Sequence, residues 1–171
     1  MKERWGDWAP PSGIRPQESV LRNPPFTPSP NQPMITYVYQ RRVRYRECDP
    51  MGVAYHTHYL DYFEEARTEA LRSVGLPYKA LEDGGIIMPV VEATVRYHAS
   101  AYYDDLLAVE TVFAEVPRVR VPIDYRVRRA GEDAVLASGR VVLCFVDPAR
   151  GRPVPAPEAV RHAFETARQA S

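Results

Sequence analysis

Hydrophobic positions change period along the chain, and the changes mark its elements. From Ile35 to Tyr45, the residues Ile35, Tyr37 and Tyr39 alternate with Thr36, Val38 and Gln40, and the alternation runs on through Val43 and Tyr45. A period of two predicts a first β-strand. The chain then breaks at Pro50 and turns through Gly52, so residues 46–56 read as a loop. Beyond it Tyr59, Tyr62, Phe63, Ala66, Ala70 and Val74 step by three or four, which is one face of a helix over about 57–74. Thr57 is expected as its N-cap, the hydroxyl bonding a first-turn amide. Gly75, followed by Pro77, is the expected stop. A short helical turn over Tyr78 to Glu82 is released by Gly84 and Gly85.

Period two returns from Ile86 to Val146. The predicted strands are Ile86–Tyr97, with Pro89 near its start or at a bulge, and Leu106–Val116, entered through Tyr102, Tyr103, Asp104 and Asp105. Pro117 turns the chain. Val119, Val121, Ile123, Tyr125 and Val127 then alternate with Arg118, Arg120, Pro122, Asp124, Arg126 and Arg128, a half-buried strand with a basic outer face. A turn at Ala130–Asp133 leads to Val135–Val146, interrupted only by Ser138, Gly139 and Arg140. Asp147 to Pro157 is turn-rich, and a short helix starting near Pro157 carries Val160, Phe164 and Ala167 on one side. One strand, one long helix, four strands and a small helix imply an α+β fold, an antiparallel sheet of about five strands curled around one buried helix.

Composition adds limits. The 171 residues suffice for one domain with a proper core. Lys+Arg and Asp+Glu are both 22, which argues against wholesale binding of nucleic acid or membrane. Cys48 and Cys144 are too few for a disulfide framework and lack metal-ligand spacing. No apolar run approaches the roughly 20 residues of a membrane span, and the first residues lack a signal peptide's apolar segment. A soluble, cytoplasmic protein without membrane insertion is the expectation. Residues 1–33 stand apart: eight of the 17 prolines lie there, so an extended or disordered extension is expected ahead of a domain over 34–171. Trp5 and Trp8 in it are candidate docking residues. Met34 is an alternative translation start, which an intact Met1 terminus by mass spectrometry would rule out.

Candidate chemistry gathers in the loop before the long helix. A lone Asp before Pro and Gly is ordinarily a turn former. Asp49, however, precedes a helix N-terminus, which offers unpaired N–H groups and partial positive charge, a setting for acyl-group chemistry. His56 and His58 diverge by about 200° if helical, so one ion is poorly served by both and no metal is expected. Cys48 has no evident orienting group as a nucleophile. Cys144 reads as core.

The run Tyr45-x-x-x-Asp49-x-x-Gly52-x-x-Tyr55-His56-x-x-Tyr59-Leu60-x-Tyr62-Phe63-Glu64-x-Ala66-Arg67, with the Gly151-Arg152-Pro153-x-Pro155 ending, resembles the 4-hydroxybenzoyl-CoA thioesterase family, most closely its Tol–Pal-associated short-chain acyl-CoA thioesterase branch. The resemblance covers about residues 36 to 165. It implies the hotdog fold, homodimers or homotetramers with sites at the dimer interface, and hydrolysis of acyl-CoA without metal or other cofactor. Asp49 would be nucleophile or general base, and the His56 amide would polarise the thioester carbonyl. Tyr55 belongs with these two catalytic positions, and Gly52, Val53 and Tyr59 are expected to contact substrate. Arg118 and Arg120 are candidates for coenzyme A phosphates, although a solvated strand face is the commoner role of such arginines. Cys48 departs from a commoner Thr or Ser. A different hotdog branch uses a helix glutamate, which makes Glu64 or Glu65 the competitor to Asp49; the ordinary role for Glu64 is a pair with Arg67 or Thr68 one turn on. Tyr97, Tyr102 and Tyr103 suit an acyl pocket, an interface or plain packing. Other readings are a hydratase or dehydratase acting on acyl thioesters, and a non-catalytic acyl-CoA-binding module.

Overall fold

The alternating runs pair into one sheet. The computed structural model describes residues 35–170, and the readings made for residues 1–33 and Met34 lie outside them. In order, the elements are β1 (Ile35–Arg42), α1 (His58–Ser73), α2 (Tyr78–Asp83), β2 (Val90–Tyr97), β3 (Leu106–Phe113), β4 (Arg120–Arg129), β5 (Val135–Cys144), β6 (Val146–Asp147), β7 (Arg152–Pro153) and α3 (Glu158–Ala170). Five strands form an antiparallel sheet in the order β1-β3-β4-β5-β2. The consecutive strands β3, β4 and β5 make its middle through short turns, and β1 and β2 close its two edges. This is the α+β hotdog arrangement, with α1 against the curved sheet.

Burial of α1 follows its apolar stripe. Tyr59, Tyr62, Phe63, Ala66 and Ala70 are buried, and so is Leu71. Val74, expected to complete the stripe, is only half-buried. The sheet answers with Leu107, Val109, Ile123, Tyr125, Val127 and Leu143. Phe63 lies flat on Tyr125, ring centroids 4.2 Å apart and planes within 14°. Gly139 makes that stacking possible: a Cβ there would stand 2.5 Å from Phe63 Cε2 and 2.7 Å from the Thr94 carbonyl oxygen. α3 covers one end of the sheet with Val160 and Phe164, and Phe164 meets Phe113 edge-on at 5.2 Å.

Several boundaries differ from the sequence reading. β1 stops at Arg42, and Tyr45, expected in the strand, is 80% exposed at the start of a 3-10 turn over Tyr45–Glu47. Thr57 holds the N-cap position of α1 as expected, but its backbone is already helical and its hydroxyl makes no capping bond. β2 begins only after Pro89, because proline has no N–H for the ladder; its carbonyl still accepts the Cys144 amide at 3.1 Å. Val119 lies ahead of β4 and is exposed. The last long strand ends at Cys144, and Val146–Asp147 pairs instead with Arg152–Pro153, a pairing too short to show a period. α3 begins at Glu158, just after Pro157.

The basic face of β4 is largely occupied. Arg126 and Arg128 reach Glu110 of β3 at 3.1 and 3.6 Å. Arg140 of β5 forks onto Asp124, both bonds 2.8 Å.

Candidate active site

The loop before α1 is a small, closed hairpin. Cys48 bridges Ala54, and the Asp49 amide donates to the Val53 carbonyl at 2.9 Å. The Gly52 amide returns to the Asp49 carbonyl at 2.9 Å, with Gly52 at φ +79°, a conformation that costs a side-chain-bearing residue about 1–2 kcal/mol. Asp49 itself is half-buried. Its Oδ1 accepts the Met51 amide at 2.8 Å and the Val53 amide at 3.4 Å, which fixes the carboxylate. Oδ2 accepts no bond among the described residues.

The entry to α1 is held one peptide at a time. The Tyr55 amide donates to the Glu47 carbonyl at 2.8 Å. The Tyr55 carbonyl accepts the His58 amide at 3.0 Å. The His56 carbonyl accepts the Tyr97 hydroxyl at 2.8 Å. Three successive peptide planes are thereby set by three different segments. The N–H groups of His56 and Thr57, which lie in the second and third planes, donate to no acceptor among the described residues. Unpaired amides at a helix N-terminus can donate to an oxygen carrying negative charge.

Surrounding groups steady this corner. The Ala54 amide donates to the Ala101 carbonyl at 2.8 Å, and Val53 bridges Tyr102. The segment ahead of β3 is itself tied down: Asp105 Oδ2 accepts the Arg129 guanidinium and the Tyr102 amide, at 2.8 and 2.9 Å. Tyr59 is buried and packs edge-on against Tyr97 at 5.3 Å. Burial pushes the Tyr97 phenol above its ordinary value, so it remains a donor at neutral pH. The Tyr55 and His56 rings lie 4.2 Å apart, both exposed.

The other candidates sit as follows. His58 is engaged through Nδ1 with Asp61 Oδ2 at 2.8 Å. Among the described residues, no three His, Cys, Asp or Glu side chains are grouped as metal ligands. The Cys48 thiol is pushed up by burial and by the Asp49 and Glu47 charges, which disfavours the thiolate a nucleophile needs. Glu64 is exposed and accepts the Thr68 hydroxyl at 3.2 Å. Glu65 is bound to Arg41. Neither is bonded to the Asp49 loop. Arg120 opens β4, opposite Cys144, and Arg118 lies two residues ahead of it, whereas the Asp49 hairpin joins the segment beside the far end of that strand, where Arg129 pairs with Leu107. A cavity of about 590 Å³ adjoins Arg118, between Ile35, Phe113, Val116, Arg161 and Phe164, also away from Asp49.

Of the residues singled out in the sequence, Asp49, Gly52 and Val53 lie in one hairpin, and Tyr55, His56 and Tyr59 follow on the segment that leads from it into α1. Sequence reasoning missed the bond from Tyr97 to the His56 carbonyl, which depends on where β2 ends. It also missed Arg41, for which inward parity along β1 was the available signal, and Glu47, which lies beyond β1 in the 3-10 turn and carries no such signal.

Comparison with known proteins identifies relatives of the whole domain. A sequence model of the thioesterase-like superfamily matches residues 43–164. The chain is similar to the acyl-CoA thioesterase YbgC of Haemophilus influenzae, 36% identical over 124 residues, covering 72% of this chain and 90% of the relative. Among solved structures it resembles hypothetical protein TT1821 from Thermus thermophilus, with a TM-score of 0.70 and 34% identity over 76% of this chain and 98% of that one. It also resembles the DHNA-CoA thioesterase of Staphylococcus aureus, with a TM-score of 0.72 and 28% identity over 79% and 91% of the two chains.

Proposed function

The chain belongs to the thioesterase-like superfamily, and on that premise we propose that it hydrolyses acyl-CoA thioesters to the free acid and CoA at Asp49. The observation that carries the assignment is the pairing of a fixed carboxylate, with one oxygen unbonded, and two unpaired amides leading into α1. The thioester carbonyl oxygen docks on the His56 and Thr57 N–H groups. Along the general-base route, Asp49 takes a proton from water, whose oxygen attacks the carbonyl carbon. The tetrahedral oxyanion forms on the two amides, the C–S bond breaks, and the proton held by Asp49 goes to the departing thiolate. Along the nucleophilic route, Asp49 attacks the carbonyl carbon and CoA thiolate leaves; water then cleaves the mixed anhydride, releasing the acid and restoring the Asp49 carboxylate while a proton from that water goes to the thiolate. Both routes use the same geometry.

Thiol release from acetyl-, hexanoyl-, palmitoyl- and benzoyl-CoA tests the assignment. Turnover of at least one ester is expected. Binding of these esters without release from any would identify a non-catalytic module, and hydration of an enoyl-CoA without release would identify the hydratase reading.

The site is open in a single copy, with Tyr55 and His56 exposed, and β2 is an edge strand whose Val90 and Val91 are 49% and 51% exposed. An edge of this kind invites pairing with another chain. A second copy paired along β2 covers it and brings a second surface toward each Asp49 hairpin. Light scattering is expected to give at least a dimer for the wild type, with Val91→Lys shifting it toward monomer and lowering turnover. A wild-type monomer with full activity would refute the pairing.

A further inference from the structure

Beneath the Asp49 hairpin lies a buried charged network that the reaction does not use directly. Arg41 and Glu47 are 7% and 5% exposed, and their contact is 2.6 Å long. Arg41 continues to Glu65 of α1, with bonds of 3.0 and 2.9 Å, and its guanidinium stands 4.0 Å over the Tyr62 ring. The other carboxylate oxygen of Glu47 accepts the Tyr62 hydroxyl at 3.0 Å and the Arg44 amide at 2.9 Å. Glu47 thus joins β1, the 3-10 turn and α1 through its side chain. Through its main chain it also holds the lead into α1, because its carbonyl receives the Tyr55 amide.

We infer that Glu47 is a positioning residue for hydrolysis, setting the Asp49 hairpin against the His56 and Thr57 amides. This rests on the reading of Asp49 given above. Asp49 follows Glu47 by two residues on one side of the hairpin, and the amide pair follows Tyr55 on the other. Both halves of the site are therefore referenced to one carboxylate bonded to Arg41, Tyr62 and the Arg44 amide. A buried ion pair is a poor source of net stability compared with apolar packing of the same volume, but its directional bonds fix geometry. Burial alone would raise the Glu47 pKa; the Arg44 amide, Arg41 and Tyr62 outweigh it and hold the group below its ordinary value, so it stays charged at neutral pH.

Glu47→Gln keeps the size and loses the charge. A displacement of about 1 Å at a reacting group costs on the order of 10²-fold, so a 10- to 100-fold fall in kcat is expected, with KM within about threefold. Introduced into Asp49→Asn, the same change is expected to cost a clearly smaller factor, since the residual rate rests on the amides alone and no longer on the placement of Asp49. Tyr62→Phe removes only a hydroxyl and tests the network if Glu47→Gln fails to fold; a kcat about threefold lower with unchanged KM is expected, together with a Tm lower by a few degrees, because a buried hydrogen bond to a charged group is lost. Wild-type kcat in folded Glu47→Gln or Tyr62→Phe, while Asp49→Asn is inactive, would overturn the positioning role alone. So would an equal factor lost in both Asp49 backgrounds. Wild-type turnover in Asp49→Asn would overturn both this role and the assignment of Asp49.

Discussion

Asp49→Asn is expected to lower thioester turnover by about 10²–10⁴-fold, the range supplied by a positioned general base, and to leave the fold intact. Folding should survive because of how the carboxylate is held. Only Oδ1 takes the Met51 and Val53 amides, and an asparagine carbonyl oxygen can take both in the same way. What asparagine cannot do is accept a proton or attack as an anion from the other position. Thiol release and a thermal melt, measured on the same preparation, check both halves. An inactive variant with wild-type Tm supports the role. An active one would remove Asp49 and move attention to Glu64, whose carboxylate is exposed on α1.

Gly139→Ala is the largest expected effect on stability. The added methyl would meet the Phe63 ring at 2.5 Å and the Thr94 carbonyl at 2.7 Å. The ring cannot simply turn away, because it is stacked on Tyr125 and fully buried. The carbonyl is backbone in β2, which pairs with β5 in this register. Overpacking of this kind costs about 1–3 kcal/mol, and each kcal/mol lowers Tm by about 2–4 °C in a chain of this size. Phe63→Leu in the same chain should recover part of the loss by shortening the side chain that meets the methyl. An alanine variant melting with the wild type would show that α1 can lift from the sheet without cost, against the close packing described here.

Much of this fold was legible because its signals are local. The stripe on α1 and the alternation in β4 are repeated several times, so single exceptions did not hide them. The Asp49 loop was legible through Pro50 and Gly52, which exclude regular structure wherever they occur. The illegible parts depend on distant partners. Arg41 has inward parity with Tyr37 and Tyr39, yet an arginine suggests a surface until Glu47 and Glu65 are known to face it. Tyr97 read as one aromatic among several, because its bond to the His56 carbonyl is set by a strand 41 positions away in sequence. Gly139 looked like an interruption in an apolar strand, and only the approach of Phe63 gives it a purpose. Thr57 takes the N-cap position, yet its hydroxyl caps nothing because the backbone there has already entered the helical region.

The three peptide planes leading into α1 carry a consequence for tolerance to change. The group that would receive the developing charge belongs to the main chain, so nineteen amino acids could stand at position 56 and still present it. Proline is the exception, because it has no N–H to offer. The imidazole can therefore drift over generations while the electrophile persists, and a reagent aimed at histidine would leave that electrophile untouched.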